Sequence, residues 1–228
     1  AMFLTPLVFH AKALRRAGGR AGRVRRATRK RQASRRARIE QLEERAVLSG
    51  GVAITSIGVT EDRAFASFLE SPSDPNSNIV VVGDSALSGQ SWTTDKFAVL
   101  RYKANGTLDP TFDNDGVVTT AFASAAAYAK AAAAYPGGKI LAAGQAKAPD
   151  YYAPADFALA RYNAGGSLDS TFGQSGMVRT DLGGSETIED IVVLPEDGRI
   201  VALGWSAGIA GFVLACYLPS GQLDTSYG

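Results

Sequence analysis

One line of this chain is written three times. Residues 97–112 read FAVLRYKANGTLDPTF, residues 157–173 read FALARYNAGGSLDSTFG and residues 212–228 read FVLACYLPSGQLDTSYG. Two further marks recur at the same offsets: NIVVVG (78–83), KILAAG (139–144) and RIVALG (199–204), then GVAITS from 51, GVVTTA from 116 and GMVRTD from 176. One catalytic centre needs one set of reacting groups, whereas a structural unit that buries its faces against copies of itself has to repeat. The repeat therefore constrains architecture first and chemistry much less. Three units fill the chain from residue 51, at about 51–115, 116–175 and 176–228.

Within a unit the local signals are short strands joined by turns. Gly137-Gly138 and Asp197-Gly198 stand between apolar runs and predict two-residue hairpins, because such turns need the positive φ that glycine adopts without a Cβ clash. Asn105-Gly106 and Gly165-Gly166 do the same after the RY runs, and the first unit carries the longer SPSDPNSN (71–78) instead. Four strands per unit result: GVVTTAF, AYAKAAAAY, KILAAGQA and FALARYN. In FALARY, Phe157 and Leu159 share one face with Arg161, while Ala158, Ala160 and Tyr162 take the other. Neither face is written for water. A four-stranded sheet covered on both sides predicts an all-β, β-propeller-like array of three four-stranded repeats. The alanine-rich stretch 121–135 favours helix by intrinsic propensity, but the repeat register makes it a strand.

Charge divides the chain. Residues 1–45 carry fourteen Lys and Arg against three Glu, a net +11, and the remainder, with ten against nineteen, carries −9 within a total of +2. A basic, partly helical or disordered arm (1–45) thus precedes an acidic repeat domain (46–228). The arm has the charge to hold phosphate backbones or anionic lipid. It lacks aromatic residues between 11 and 45 for stacking on bases, which disfavours nucleic-acid recognition. No apolar run approaches the roughly eighteen residues of a spanning helix. Cys216 is the only cysteine, so the chain forms no internal disulfide.

The pattern DFALARYNAGGSLDSTFGQSGMV followed by LPEDGRIVALG resembles the delta-60 repeat family, bacterial repeats of β-propeller type found mostly in predicted secreted or surface proteins. The resemblance covers residues 51–228 and implies no catalytic residues. Departures are Cys216 in place of Arg101 and Arg161, Tyr227 in place of Phe112 and Phe172, and the alanine run. Upstream, RRARIEQLEERAVLSG resembles the planctomycete extracellular leader motif, which Leu42, Glu43, Arg45, Leu48 and Ser49 match. Together these imply an exported, extracellular or cell-surface protein. The rival readings are a merely solvated arm and one that binds nucleic acid.

Candidate chemistry is sparse. His10, the only histidine, lies outside the repeats, which excludes a Ser-His-Asp triad or a His-ligated metal within them. Asp109, Asp169 and Asp224 recur in the Leu-Asp turn and suit an Asx-type turn. Asp109, Asp113 and Asp115, with Asn114, crowd before Gly116 as in an oxygen-rich calcium loop. The next unit has Gly173, Gln174 and Ser175 there, so the repeat itself requires no metal. Arg101 and Arg161 suit ion pairs between units with acidic residues such as Asp95 and Asp156. Trp92, Tyr151 and Tyr152 fall in loops where aromatics can stack on sugar rings or peptide side chains.

No cofactor is expected. The expected role is a non-catalytic module for binding or structural display, contacting a surface polymer or protein, with a homo-oligomer as a way to close the propeller. The alternatives are a carboxylate-dependent glycan-active enzyme, marked by two acidic side chains about 5–10 Å apart in a central pocket, and a nucleic-acid binder acting through the arm.

Overall fold

The computed structural model describes residues 47–48, 52–58, 62–85, 95–122, 126–148, 150 and 152–228. The chain divides into Ala1–Leu42 and Glu43–Gly228. All described residues lie in the second part, so the arm falls outside them, as do Trp92 and Tyr151. Among the described residues no helix is long and apolar enough to cross a membrane.

The repeats fold as antiparallel sheets in simple meander order. The first holds β3 (Asp62–Leu69), β4 (Ile79–Ser85), β5 (Lys96–Tyr102) and β6 (Val117–Thr120). The second holds β7 (Ala126–Tyr135), β8 (Lys139–Lys147), β9 (Ala155–Tyr162) and β10 (Met177–Thr180). The third holds β11 (Glu186–Val193), β12 (Ile200–Ser206) and β13 (Gly211–Tyr217). Ahead of them, β1 (Val47–Leu48) pairs with β2 (Val52–Ala53).

The sheets are offset from the sequence units by one strand. GVVTT does not open the second sheet. As β6 it completes the first, Thr120 opposite Phe97 and Val117 opposite Leu100. GMVRT completes the second in the same register, Thr180 opposite Phe157. The outer strand of each sheet thus comes from the start of the next sequence unit. The third sheet has three strands among the described residues, rather than the expected four.

Packing follows the two-faced strand pattern. β9 is buried along its whole length. Its Ala158, Ala160 and Tyr162 join Val80, Val82, Phe97 and Val99 of the first sheet in one core. Its Phe157 and Leu159 join Ile188, Ile200, Ala202 and Tyr217 of the third sheet in another. The alanine run is strand β7, the innermost of its sheet, in contact with β3 and β11. Ala127 and Ala129 face the first core and Ala131 the second. Small side chains let neighbouring sheets approach at their inner edges, and that packing outweighs the helix preference of alanine.

The glycine ending each VVVG-type mark has a specific cause. The first strand of every sheet bulges, at Ala64/Ala66, Ala129/Ala131 and Ile188/Asp190. The bulge drives the preceding carbonyl onto the facing strand. A Cβ at Gly83 would lie 1.7 Å from Arg63 O, at Gly144 1.9 Å from Tyr128 O, and at Gly204 2.1 Å from Thr187 O. The turns are longer than the two-residue hairpins expected. Three residues, 136–138, join β7 to β8, and six, 194–199, join β11 to β12. Pro136 and Pro195, lacking an N–H, leave the ladder early, while Gly137, Gly138 and Gly198 take φ of 80°, 71° and 74°.

Gly144→Ala is expected to lower stability by about 2 kcal/mol or more, the scale of backbone-level overpacking. Gly165→Ala, where nothing lies within 4 Å of the new Cβ, should change it by less than about 0.5 kcal/mol. Urea unfolding of the two variants beside the parent chain measures both.

Candidate functional site

The register gives the sheets two ends with different characters. At one end lie the Leu-Asp turns, and at the other lie the β4–β5, β8–β9 and β12–β13 connections with the links between sheets. The polar residues sort accordingly.

At the turn end, Arg101 and Arg161 project from β5 and β9 into matching arrangements. Arg101 Nε donates to Asp109 Oδ2 at 2.9 Å and its Nη2 to Thr111 Oγ1 at 2.8 Å. Arg161 Nε donates to Asp169 Oδ2 at 2.7 Å and its Nη2 to Thr171 Oγ1 at 3.3 Å. Each guanidinium also lies over the phenylalanine that ends the repeat, 4.8 Å from the Phe112 centroid and 4.5 Å from that of Phe172. The third arm of each arginine leaves its own sheet, Nη1 donating to Ala164 O from Arg101 and to Pro219 O from Arg161.

The ion pairs expected between units are instead formed within each unit, only a hydrogen bond to a backbone carbonyl crosses to the next sheet, and Asp95 and Asp156 are not the arginines' partners. Asp95 lies six residues from Arg101 along an extended strand, about 20 Å away at 3.3 Å per residue. The partners are the Leu-Asp aspartates, brought back to Arg101 and Arg161 by the turn. The Asx turn is present in all three copies, Thr111, Thr171 and Ser226 each donating a backbone N–H at 3.1 Å to Oδ1 of Asp109, Asp169 and Asp224. In the third copy Cys216 replaces the arginine, and Arg199 reaches Asp224 at 3.4 Å.

These contacts govern the carboxylates. Burial pushes Asp169 up, but hydrogen bonds from Lys139, Thr171 and Arg161 outweigh it and hold the carboxyl well below its usual range. Asp109 is held low in the same way by Thr111 and Arg101. Of the calcium candidates, Asp109 is thus engaged by a guanidinium. Asp115 Oδ1 accepts the Val117 N–H at 2.8 Å, and Asp113, at φ 49°, donates its N–H to Gly165 O of the second sheet.

The connection end holds two acidic groups that sequence reasoning missed. In one, Arg63 of β3 donates to Asp84 of β4 at 3.0 Å and lies 3.7 Å from Asp95, both carboxylate side chains being fully buried. Its guanidinium also sits 5.6 Å from the Tyr128 centroid. Burial raises the Asp84 carboxyl, with Arg63 opposing. Burial, then a hydrogen bond to Asp95, holds the Tyr128 phenol far above its ordinary value.

In the other, carboxylate oxygens of Asp156, Asp181 and Glu186 lie within 4.8 Å of one another. Arg179 donates to Asp156, and Ser206 Oγ donates to Glu186 at 3.0 Å. Asp181 Oδ1 accepts the Gly183 N–H at 2.8 Å. The visible signal for both groups was an acidic residue beside an otherwise apolar mark: Asp84 after Gly83, Asp95 and Asp156 just before Phe97 and Phe157. Of the aromatic loop candidates, Tyr152 is described and stands at this end, 89% exposed.

Asp169→Asn should destabilise the chain by about 3–5 kcal/mol at neutral pH, because it leaves the buried Arg161 charge without its counterion. A carboxyl with a depressed folded-state pKa contributes stability above its unfolded value of about 4 and loses it as pH falls through the folded value. The parent chain should therefore lose stability steadily below about pH 4, with a shallower slope in the Asn variant. Urea midpoints measured from pH 6 to pH 2 check both statements.

A family model described as "Domain of unknown function (DUF5122) beta-propeller" matches residues 75–112, 136–172 and 196–227. Each match enters at the turn before the second strand of a sheet and ends on Phe112, Phe172 or Tyr227, the last landmark of the repeat. No curated protein and no solved structure matches the chain. The chain thus carries three successive β-propeller repeats of the kind this model describes.

Proposed function

We propose that this chain is a non-catalytic, exported repeat module that binds or displays, contacting a surface polymer or protein through the connection end of its sheets. One observation carries the reading. The Asp84 and Asp95 carboxylates, which a glycan-active enzyme would need facing substrate, have side-chain exposures of 0% beside Arg63, whereas Tyr152 on a neighbouring connection is 89% exposed.

Hydrolysis by paired carboxylates needs both groups on the sugar ring. A buried pair sharing a guanidinium has a structural use instead, closing the end of the sheet. An exposed aromatic ring on a rigid scaffold supports stacking on a sugar or an extended peptide. Export is supported by the leader pattern of residues 42–49 and by the resemblance of the repeats to secreted proteins. Completion of the array is read as coming from further repeats of a longer chain or from a second copy.

The test is co-sedimentation of the full chain with insoluble polysaccharides and with a cell-envelope fraction. Binding with no release of reducing ends is expected, weakened about fivefold by Tyr152→Ala with the melting temperature unchanged. Release of reducing ends that Asp84→Asn abolishes would overturn the reading in favour of the enzyme.

A further inference from the structure

The group formed by Arg63, Asp84 and Asp95 is an addition to the repeat. Where the first sheet sets Arg63 opposite Asp84, the second sets Tyr128 opposite Gln145 and the third Thr187 opposite Trp205. Two residues before the landmark phenylalanine, Asp95 gives way to Ala155 and Ala210. Two sheets of the three therefore form without these charges.

Within the group the charges do not balance. Both carboxylate side chains are fully buried, and the guanidinium between them is 45% exposed. Arg63 spends Nε and Nη2 on one oxygen, Asp84 Oδ2, at 3.2 and 3.0 Å. Asp95 Oδ2 stands farther from the same Nη2, at 3.7 Å. Asp84 Oδ1 is buried and accepts no hydrogen bond. With both carboxylates ionised, two negative charges share one positive charge away from water, and a buried acid in that position is relieved by neutralisation. One proton on Asp84 leaves Arg63 to Asp95 alone.

The groups that act on the pair come from two strands. β3 brings Arg63 and also Asp62, whose carboxylate holds the Ile57 and Gly58 N–H groups and adds negative charge. β7, of the second sheet, brings the Tyr128 phenol, hydrogen-bonded to Asp95. Burial is the largest influence on the Asp84 carboxyl and raises it, Arg63 opposes, and Asp95 and Asp62 raise it further. The group also joins two sheets at the connection end: the Ala127 N–H of β7 donates to Asp95 O at 2.9 Å, and the Arg63 guanidinium lies 5.6 Å from the Tyr128 ring centroid.

We propose that Asp84 and Asp95 hold one proton between them, seated on Asp84 Oδ1, and that mild acid, by supplying it from solvent, locks the first sheet onto the second. The proton belongs to the pair, since ionising either carboxylate makes ionising the other harder. The sign follows from linkage. A carboxyl that keeps its proton to higher pH in the folded state than in the unfolded one binds more protons when folded, so stability rises as pH falls through the folded value toward the unfolded value of about 4. This is opposite to Asp169 and Asp109, whose stabilisation is lost below that range. Residues 46–228 hold no histidine, so the side chain that ordinarily titrates between about pH 5 and pH 8 is not there to imitate the effect. The inference stands apart from the binding reading and needs no ligand.

The test compares the full parent chain with Asp84→Asn and Asp95→Asn by urea unfolding and infrared spectroscopy at about pH 7 and about pH 5. The folding equilibrium constant of the parent divided by that of either variant is expected to rise at least about threefold on going to the lower pH, because each asparagine leaves Arg63 a single carboxylate. Should one variant fail to fold, the other carries the comparison. The parent at the lower pH is expected to show the carbonyl stretch of a protonated carboxyl that both variants lack, with higher protection of the Ala127 N–H against exchange than at the upper pH. A level ratio, or a parent spectrum without that band, means that both carboxylates stay ionised and overturns the proposal. The band with unchanged Ala127 protection overturns the lock, since the proton is then bound without holding the two sheets together.

Discussion

A sheet that is apolar on both faces is unstable in water until both faces are covered, and every other feature of this protein follows from that constraint. β9 is buried from Ala155 to Tyr162 because one sheet lies against each of its faces. Covering a large apolar side chain contributes about 1.5–3 kcal/mol, so the Phe, Leu and Val positions of the central strands bind neighbouring sheets firmly. The same constraint explains the alanines of β7. Inner strands sit closest to their neighbours, and larger side chains there would hold the sheets apart.

Apolar faces give adhesion without a defined geometry, since they can slide. The arginines of β5 and β9 supply the geometry. Each is held by an Asx turn that its own repeat has already folded, stacked on the terminal Phe, and left with one N–H pointing at a carbonyl of the next sheet. A charge so deeply buried is tolerated because its carboxylate and hydroxyl partners are in place. This is why Leu-Asp-x-Thr-Phe recurs as a block: turn, counterion, hydroxyl and aromatic platform serve one guanidinium. Cys216 withdraws the guanidinium from the third sheet, and Asp224 is left to the more distant Arg199.

The connection end follows a different logic. Its carboxylates do not recur with the repeat, since Asp84 stands where the other sheets have Gln145 and Trp205. Arg63 pairs with Asp84 and Arg179 with Asp156, each across neighbouring strands of one sheet. The connections themselves differ from one sheet to the next while the scaffold beneath them repeats.

Much of this was legible in the chain. The repeat period, the all-β class, the two-faced strands and the Asx turns could be read because each is a local or periodic property: alternation, turn chemistry and spacing follow from the backbone alone. The sequence could not show to which sheet a strand belongs, because GVVTT is equally well the first strand of one unit and the last of the one before; only hydrogen bonding to Phe97–Leu100 decides. Nor could it show that Arg101 turns to Asp109 and not Asp95, since both are nearby in sequence and the strand direction carries one away. The glycines of the VVVG marks were visible as a pattern, but their cause, a carbonyl pushed across by a bulge on the facing strand, exists only when the two strands meet. Sequence by itself determined the unit and its number. Tertiary structure decided the phase of the sheets and the partners of the buried charges, because each depends on contacts between segments that sequence order does not place side by side.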